Sequence, residues 1–207
     1  MDRVIAARNR IGILGGTFDP LHLGHLILAE EARYGLALDC VLFLLTPCPP
    51  HKNNQEITPL DHRLKMLKLS IRDQPAFEIS RVDIDRSPPH YAADSLLFIR
   101  ELYPQARLFY LMGEDSLRDL IHWHEPARFL QQCDGIGVMR RVINNDSLVE
   151  LERVFPGIEQ KVFFLKAPRF DISSREIRQR VAQGMPFRYF LPPPVYQYIL
   201  RTGLYRA

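Results

Sequence analysis

His22 and His25 stand beside a glycine pair in the string Gly15-Gly16-Thr17-Phe18-Asp19-Pro20-Leu21-His22-Leu23-Gly24-His25. Side chains three apart on a helix are neighbours, so both imidazoles would lie on one face of a first helical turn. A glycine turn running from a strand into a helix presents unpaired backbone N–H groups and the positive end of the helix dipole, which together favour an anion. The chemistry these residue types suit is therefore phosphate binding, with two imidazoles aimed at the bound group. Spacing alone leaves other readings open: His22 as a helix cap with His25 a partly exposed neighbour, or a zinc pair. Zinc needs further ligands, and near the motif only Asp19 is available, with no Cys–His cluster of ligand spacing elsewhere.

The elements that must position these residues follow from periodicity. Arg10-Ile11-Gly12-Ile13-Leu14 is a β-branched and aliphatic run of the kind that forms a buried parallel strand, and the chain is expected to turn at Gly15-Gly16. From Leu23 to Tyr34 the spacing predicts a helix, with Leu26, Ile27, Ala29 and Ala32 inward and Glu30, Glu31 and Arg33 toward solvent. Asp19-Pro20 marks the turn between them. Further strands are expected at Cys40–Leu45, Phe77–Val82, Arg107–Met112, Gly135–Met139 and Lys161–Leu165. Helices are expected at Pro59–Ile71, Ala92–Leu102, Asp115–Leu120, Pro126–Gln132, Ser147–Val154, Ser174–Ala182 and Pro192–Arg201. This alternation predicts an α/β fold: a Rossmann-like, doubly wound parallel sheet in three layers. Ligands of such sheets lie outside the carboxyl ends of the strands, so residues after other strands should converge on the first glycine turn.

Four segments have suitable chemistry. After the second strand, Thr46-Pro47-Cys48-Pro49-Pro50-His51-Lys52 is a proline-stiffened loop that either delivers an imidazole and an ammonium to a fixed place or is a surface loop with an incidental lysine. After the fourth, Gly113-Glu114-Asp115 offers close backbone approach and a carboxylate that could accept from a ribose or an amine, or else a glycine turn with an Asp cap. Ile121-His122-Trp123-His124 holds the only tryptophan, an indole suited equally to stacking on a heteroaromatic ring and to the core. Ile172-Ser173-Ser174-Arg175-Glu176-Ile177-Arg178 joins a serine cap and a capping-box-like Glu176 to two arginines, a helix start that could clamp a polyphosphate or remain plainly solvated.

Composition sets the outer bounds. With 207 residues and 46% hydrophobic content, the chain can bury one sizeable core, so 10–207 is expected to be a single domain after a short extension at 1–9. A net charge of +3 with scattered basic residues gives no basic helix or stacked aromatic set, so nucleic acid is not expected as a partner. Cys40, Cys48 and Cys133 are odd in number and widely spaced, which suits a reducing cytoplasm better than a disulfide framework. No apolar run reaches transmembrane length, and no membrane partner is expected. Monomer and homo-oligomer are equally compatible with the sequence.

Read as a whole, the first motif resembles the signature of the nucleotidylyltransferase superfamily. With Pro49-Pro50-His51-Lys52, Tyr91-Ala92-Ala93-Asp94-Ser95-Leu96, Gly113-Glu114-Asp115-Ser116-Leu117, the Trp123 segment, the Ser173-to-Arg178 motif and the closing Leu191-Pro192 and Gly203-Leu204-Tyr205 strings, the chain resembles bacterial nicotinate-nucleotide adenylyltransferases from Ile11 to Tyr205. The resemblance implies transfer of AMP from ATP to nicotinate mononucleotide, giving deamido-NAD and pyrophosphate in NAD biosynthesis, with Mg²⁺ accompanying ATP. It implies ATP contacts at Gly15, Gly16, Thr17, Phe18, His22, His25, Gly113, Asp115, Ser173, Ser174 and Arg178, with His22, His25 and Arg178 stabilising charge as the bond breaks. It places the mononucleotide at Gly16, Thr17, Thr46, His51, Lys52, Tyr91, Ala92, Trp123 and His124, and assigns no protein metal ligands. The chain departs from the usual pattern at Ala92, where threonine is common, at Thr46, where asparagine is common, and at Arg175, which replaces a threonine. Nicotinamide mononucleotide or another phosphate ester is the alternative acceptor, and a nucleotide-binding regulatory module without turnover is the alternative outside enzymes.

Overall fold

Six short apolar runs form one parallel sheet in the computed structural model, which describes residues 8–49, 56–139, 146–168 and 171–206. The strands are β1 (Arg10–Gly16), β2 (Cys40–Leu45), β3 (Phe77–Ser80), β4 (Arg107–Gly113), β5 (Gly135–Met139) and β6 (Val162–Leu165). Their order is β3-β2-β1-β4-β5-β6, and every neighbouring pair is parallel. The helices are α1 (Leu23–Gly35), α2 (Leu60–Ile71), α3 (Ala92–Leu102), α4 (Glu114–Arg118), α5 (Pro126–Gln132), α6 (Asp146–Val154), α7 (Ser174–Ala182) and α8 (Pro193–Thr202). No helix among the described residues is long and apolar enough to cross a membrane.

The sheet is covered on both faces, which is why β2 reads Cys-Val-Leu-Phe-Leu-Leu without a polar interruption and is buried throughout. Alternation along β1 shows the two layers. Ile11 and Ile13 pack with Leu96 and Ile99 of α3 and Phe129 of α5, while Leu14 packs with Phe43, Leu111 and the Leu28, Ala29 and Ala32 stripe of α1. A third cluster joins Met66 of α2 to Ile177 of α7 and Val195 and Ile199 of α8. It seats the last two helices against α2, close to the end of β1.

Several element ends shift by one residue from the sequence reading, and three differences are larger, each for a physical reason. The glycine pair is not the turn: β1 continues through Gly15 and Gly16, which pair with Leu44 and Leu45, and the chain turns at Thr17 to Leu21 with Phe18 in the left-handed region at φ +48°. Glycine is required here for space, since a Cβ on Gly15 would stand 2.4 Å from the Tyr110 hydroxyl and one on Gly16 would stand 2.9 Å from the Phe18 ring. β3 stops at Ser80, and Val82 instead packs onto the core cluster that contains Tyr110. The helix expected at Asp115–Leu120 splits into α4 and a 3₁₀ turn at Asp119–His122, which delivers Trp123 edge-on to Tyr110 and Phe129.

Candidate active site

Strand order reverses between β1 and β4, and the crevice at their carboxyl ends is where an open α/β sheet holds a ligand. A cavity of about 640 Å³ opens there. Gly15, Gly16 and Thr17 form its floor at the end of β1, Thr46 comes from the loop after β2, and Tyr91, Ala92, Trp123 and His124 close the far side. The far wall is aromatic. Tyr91 and His124 stack at 3.9 Å between ring centroids with planes 24° apart, and Trp123, which also lines the cavity, makes T-shaped contacts with Tyr110 and Phe129 at centroid separations of 6.0 and 5.1 Å. Trp123 therefore serves the core and the cavity wall together.

The two histidines sit where α1 begins. His22 takes the N-cap position with extended φ and ψ, His25 is the third helical residue, and their rings stack at 3.8 Å and 29°. The backbone N–H of His22 donates to Nδ1 of His25 at 3.2 Å. Because Nδ1 accepts, neutral His25 carries its proton on Nε2, which is left as a donor. Burial, with His22 adding to it, holds the His25 imidazole well below its ordinary pKa. The ring edge of Phe18 packs against His25 at 5.1 Å, and the Phe18 side chain itself lies in the core with Phe43.

The turn between β1 and α1 is held from four directions. Arg178 Nη1 donates to the carbonyl of Asp19 at 2.7 Å, and Ser174 Oγ donates to that of Pro20 at 2.8 Å. Asp19 is buried, and its carboxylate accepts from the Tyr205 hydroxyl at 2.7 Å and from the backbone N–H of Thr58 at 3.2 Å. Arg63, 2% exposed, donates to the carbonyls of Thr17, Thr46, Pro47 and Thr58 at 2.8 to 3.0 Å. A turn fastened this way reaches its ligand with little left to order. Burial and the neighbouring Asp19 push the Tyr205 hydroxyl up, so it stays a donor across the physiological range. Hydrogen bonds to charged groups contribute about 1.5–3 kcal/mol, so Tyr205→Phe is expected to lower unfolding stability by about 2 kcal/mol in urea titration. An unchanged midpoint would show that the bond contributes nothing.

The structure does not bring every expected residue to the cavity. Gly113 ends β4 with no atom within 4 Å of where a Cβ would stand, and Asp115 is exposed on α4 beside Arg118, 3.9 Å away. Ser173 caps α7 by accepting from the Glu176 N–H at 3.1 Å, while Arg175 is exposed. His51 and Lys52 lie outside the described residues. Conversely, Arg63, Asp83, His90, Ser95, Tyr110 and Tyr205 were not singled out from sequence as site residues. Asp83, His90, Ser95 and Tyr110 line the cavity. Two of them carried a signal: Tyr205 in the closing Gly-Leu-Tyr string and Ser95 in the Tyr91-to-Leu96 string. Among the described residues no group of three His, Cys, Asp or Glu side chains could hold a metal ion.

An anion-suited helix start at the switch point of a sheet in this order defines a nucleotide-handling α/β protein, and a family profile described as Cytidylyltransferase-like matches residues 13–180. A solved structure described as Plasmodium falciparum nicotinic acid mononucleotide adenylyltransferase complexed with NaAD superposes with a TM-score of 0.79 at 20% identity, covering 95% of this chain and 97% of that one. That likeness is one of fold. In sequence, the chain is 44% identical to the Thermomicrobium roseum protein named "Probable nicotinate-nucleotide adenylyltransferase", over 96% of this chain and 92% of that one. It is 42% identical to the Desulfitobacterium hafniense (strain Y51) protein of the same name, over 97% and 98%. The chain belongs to the nicotinate-nucleotide adenylyltransferase family.

Proposed function

We propose that this protein transfers the adenylyl group of ATP to nicotinate mononucleotide, producing deamido-NAD and pyrophosphate. The observation that carries this reading is the junction of two unlike sites at one strand end: an aromatic-walled cavity floored by Gly15 to Thr17, and directly beside it a helix start bearing two stacked histidines. The first suits a flat heteroaromatic ring joined to a sugar phosphate, and the second suits a polyphosphate.

In the mechanism that follows, a phosphate oxygen of the mononucleotide attacks the α-phosphorus of ATP in line. The new P–O bond forms as the bond from the α-phosphorus to the bridging oxygen breaks, and pyrophosphate leaves with the electron pair. No side-chain nucleophile is needed, so catalysis rests on holding the phosphates together and on donors placed where charge grows. His22 and His25 supply imidazole donors at the α-phosphate and the triphosphate bridge. Backbone groups of Gly15, Gly16, Thr17 and Phe18 meet the phosphates, and Tyr91 with Trp123 frames the pyridine ring. Ser173, Ser174 and Arg178 take the leaving pyrophosphate, Arg178 with the nitrogens it does not give to Asp19. Gly113 and Asp115 stand near the adenosine, Thr46 at the acceptor, and His51 and Lys52 toward the acceptor phosphate on sequence resemblance alone.

Backbone N–H groups at Ala92 and His124 survive the departure from threonine at Ala92, so contacts made there through the main chain are retained. Mg²⁺ would accompany ATP as MgATP in this reading and would supply charge neutralisation on the phosphates. Excess EDTA is expected to abolish pyrophosphate release, and full activity in chelator would contradict this. The deciding experiment is turnover with ATP and either nicotinate or nicotinamide mononucleotide, side by side. Pyrophosphate release with a strong preference for the acid supports the proposal. No release with either acceptor would sink it, and preference for the amide would reassign the acceptor.

A further inference from the structure

His90 lies one residue before the N-cap of α3, 5% exposed, and lines the cavity wall next to Tyr91. Its Nδ1 is enclosed and has no hydrogen-bond partner among the described residues. The polar groups around it are already matched to one another. Oδ1 of buried Asp83 accepts from Ser95 Oγ at 2.7 Å and from Arg86 Nε and Nη2 at 3.1 and 3.0 Å, and Arg86 Nη1 donates to the carbonyl of Pro89 at 2.7 Å. A histidine left out of a satisfied network costs stability, whereas a leucine of similar volume would fill the same place without that cost. Enclosure closes Nδ1 to any ligand, whereas Nε2 is neither enclosed nor bonded among the described residues, so Nε2 is the ring nitrogen that a partner in the cavity can reach.

We propose that His90 is a specificity-determining residue whose imidazole donates a hydrogen bond to the carboxylate on the pyridine ring of the acceptor, favouring the acid over the amide. The proposal rests on the acceptor assignment made above and adds to it a residue contact. Place and charge support it. His90 lines the cavity together with Trp123 and the stacked Tyr91 and His124, whereas neither His22 nor His25 of the phosphate-suited helix start is among the lining residues. Among the titratable and charged groups around it, Asp83 is bound to Arg86, and His122, His124, Asp119 and Tyr110 share the cavity lining. Burial lowers the pKa of the ring, with Asp83 opposing the shift and Arg86 adding to it, and in the neutral ring one nitrogen donates while the other accepts. Donation to a carboxylate is charge-assisted and about twice as strong as donation to a neutral amide oxygen, which is the sense of selectivity required.

The test compares kcat/KM for nicotinate and nicotinamide mononucleotide in the native protein, His90→Leu and His90→Asn. His90→Leu is expected to reduce the acid-to-amide ratio about tenfold, through the KM of the acid, with the KM of ATP within twofold of native. His90→Asn, which keeps a donor, is expected to restore most of the ratio. The ratio is taken within one protein, so loss of folded enzyme cancels from it. If His90→Leu does not fold, an unchanged ratio in His90→Ala overturns the proposal and a collapsed one supports it. A folded His90→Leu protein with the native ratio overturns it outright. Calorimetric binding of the two mononucleotides separates this claim from the activity: acid-selective binding lost in His90→Leu supports His90 even if no turnover occurs, and equal binding of acid and amide by the native protein refutes it.

Discussion

Replacing His25 with alanine is expected to lower turnover about a hundredfold or more while the protein still folds. The Nε2 donor of His25 is fixed at three points: Nδ1 accepts from the His22 backbone, the ring stacks on His22 at 3.8 Å, and the Phe18 edge closes a third side. A donor held so firmly needs no reorganisation as charge builds on the transferring phosphate, and loss of one such donor costs about 3 kcal/mol in the barrier. The stability cost is smaller, about 1 kcal/mol, because the His22 N–H belongs to the first helical turn and water can replace its partner. Near-native kcat in His25→Ala would remove this residue from the mechanism. The same ring gives a pH signature. Its pKa is lowered in the folded state, so below about pH 6.5 the unfolded chain binds a proton that the folded chain refuses. Stability is then full above pH 6.5 and falls as pH drops toward the folded value, and the fall should be shallower in His25→Ala. Urea midpoints at pH 7.5 and 5.5 in both proteins check the sign.

Local rules carried much of the architecture. Buried parallel strands are continuous apolar runs, and helix ends follow from proline and serine, so β2, α3, α5 and α7 have the bounds the sequence predicts. The site was legible where its chemistry is concentrated in one string, as at His22 and His25. Elsewhere the cause lies far along the chain. Gly15 looks like a turn residue, yet it pairs with Leu44 within the strand, and glycine is needed there because the Tyr110 hydroxyl occupies the space a side chain would take. His90 reads as an ordinary loop histidine until Asp83, Arg86 and Ser95 are seen to be satisfied without it. Periodicity reports which face of an element is buried, and it is silent about which carbonyls from other loops will meet there.

Arg63 shows the consequence most sharply, and its removal is expected to produce the largest loss of stability among these substitutions. It is 2% exposed and contacts three segments. Its guanidinium joins Thr17 in the turn before α1 to Thr46 and Pro47 after β2 and to Thr58 before α2, through four carbonyl oxygens. Burial lowers its pKa and Asp19 opposes the shift, yet an arginine starts so high that it remains charged. Arg63→Met matches the bulk and removes every donor, leaving these carbonyls to whatever water can enter. At about 1–3 kcal/mol for each buried polar group left unsatisfied, with partial rescue by water, the expected loss is about 3–5 kcal/mol in urea unfolding. Arg63→Lys should recover less than half, because an ammonium cannot reproduce the planar fork that reaches four acceptors. Both loops flank the cavity through Thr17 and Thr46, so the folded fraction of Arg63→Lys should also show a raised KM for the mononucleotide. A loss below about 1 kcal/mol in Arg63→Met would mean that the loops hold their places without it, and the site would then owe its geometry to Arg178, Ser174 and Tyr205 alone.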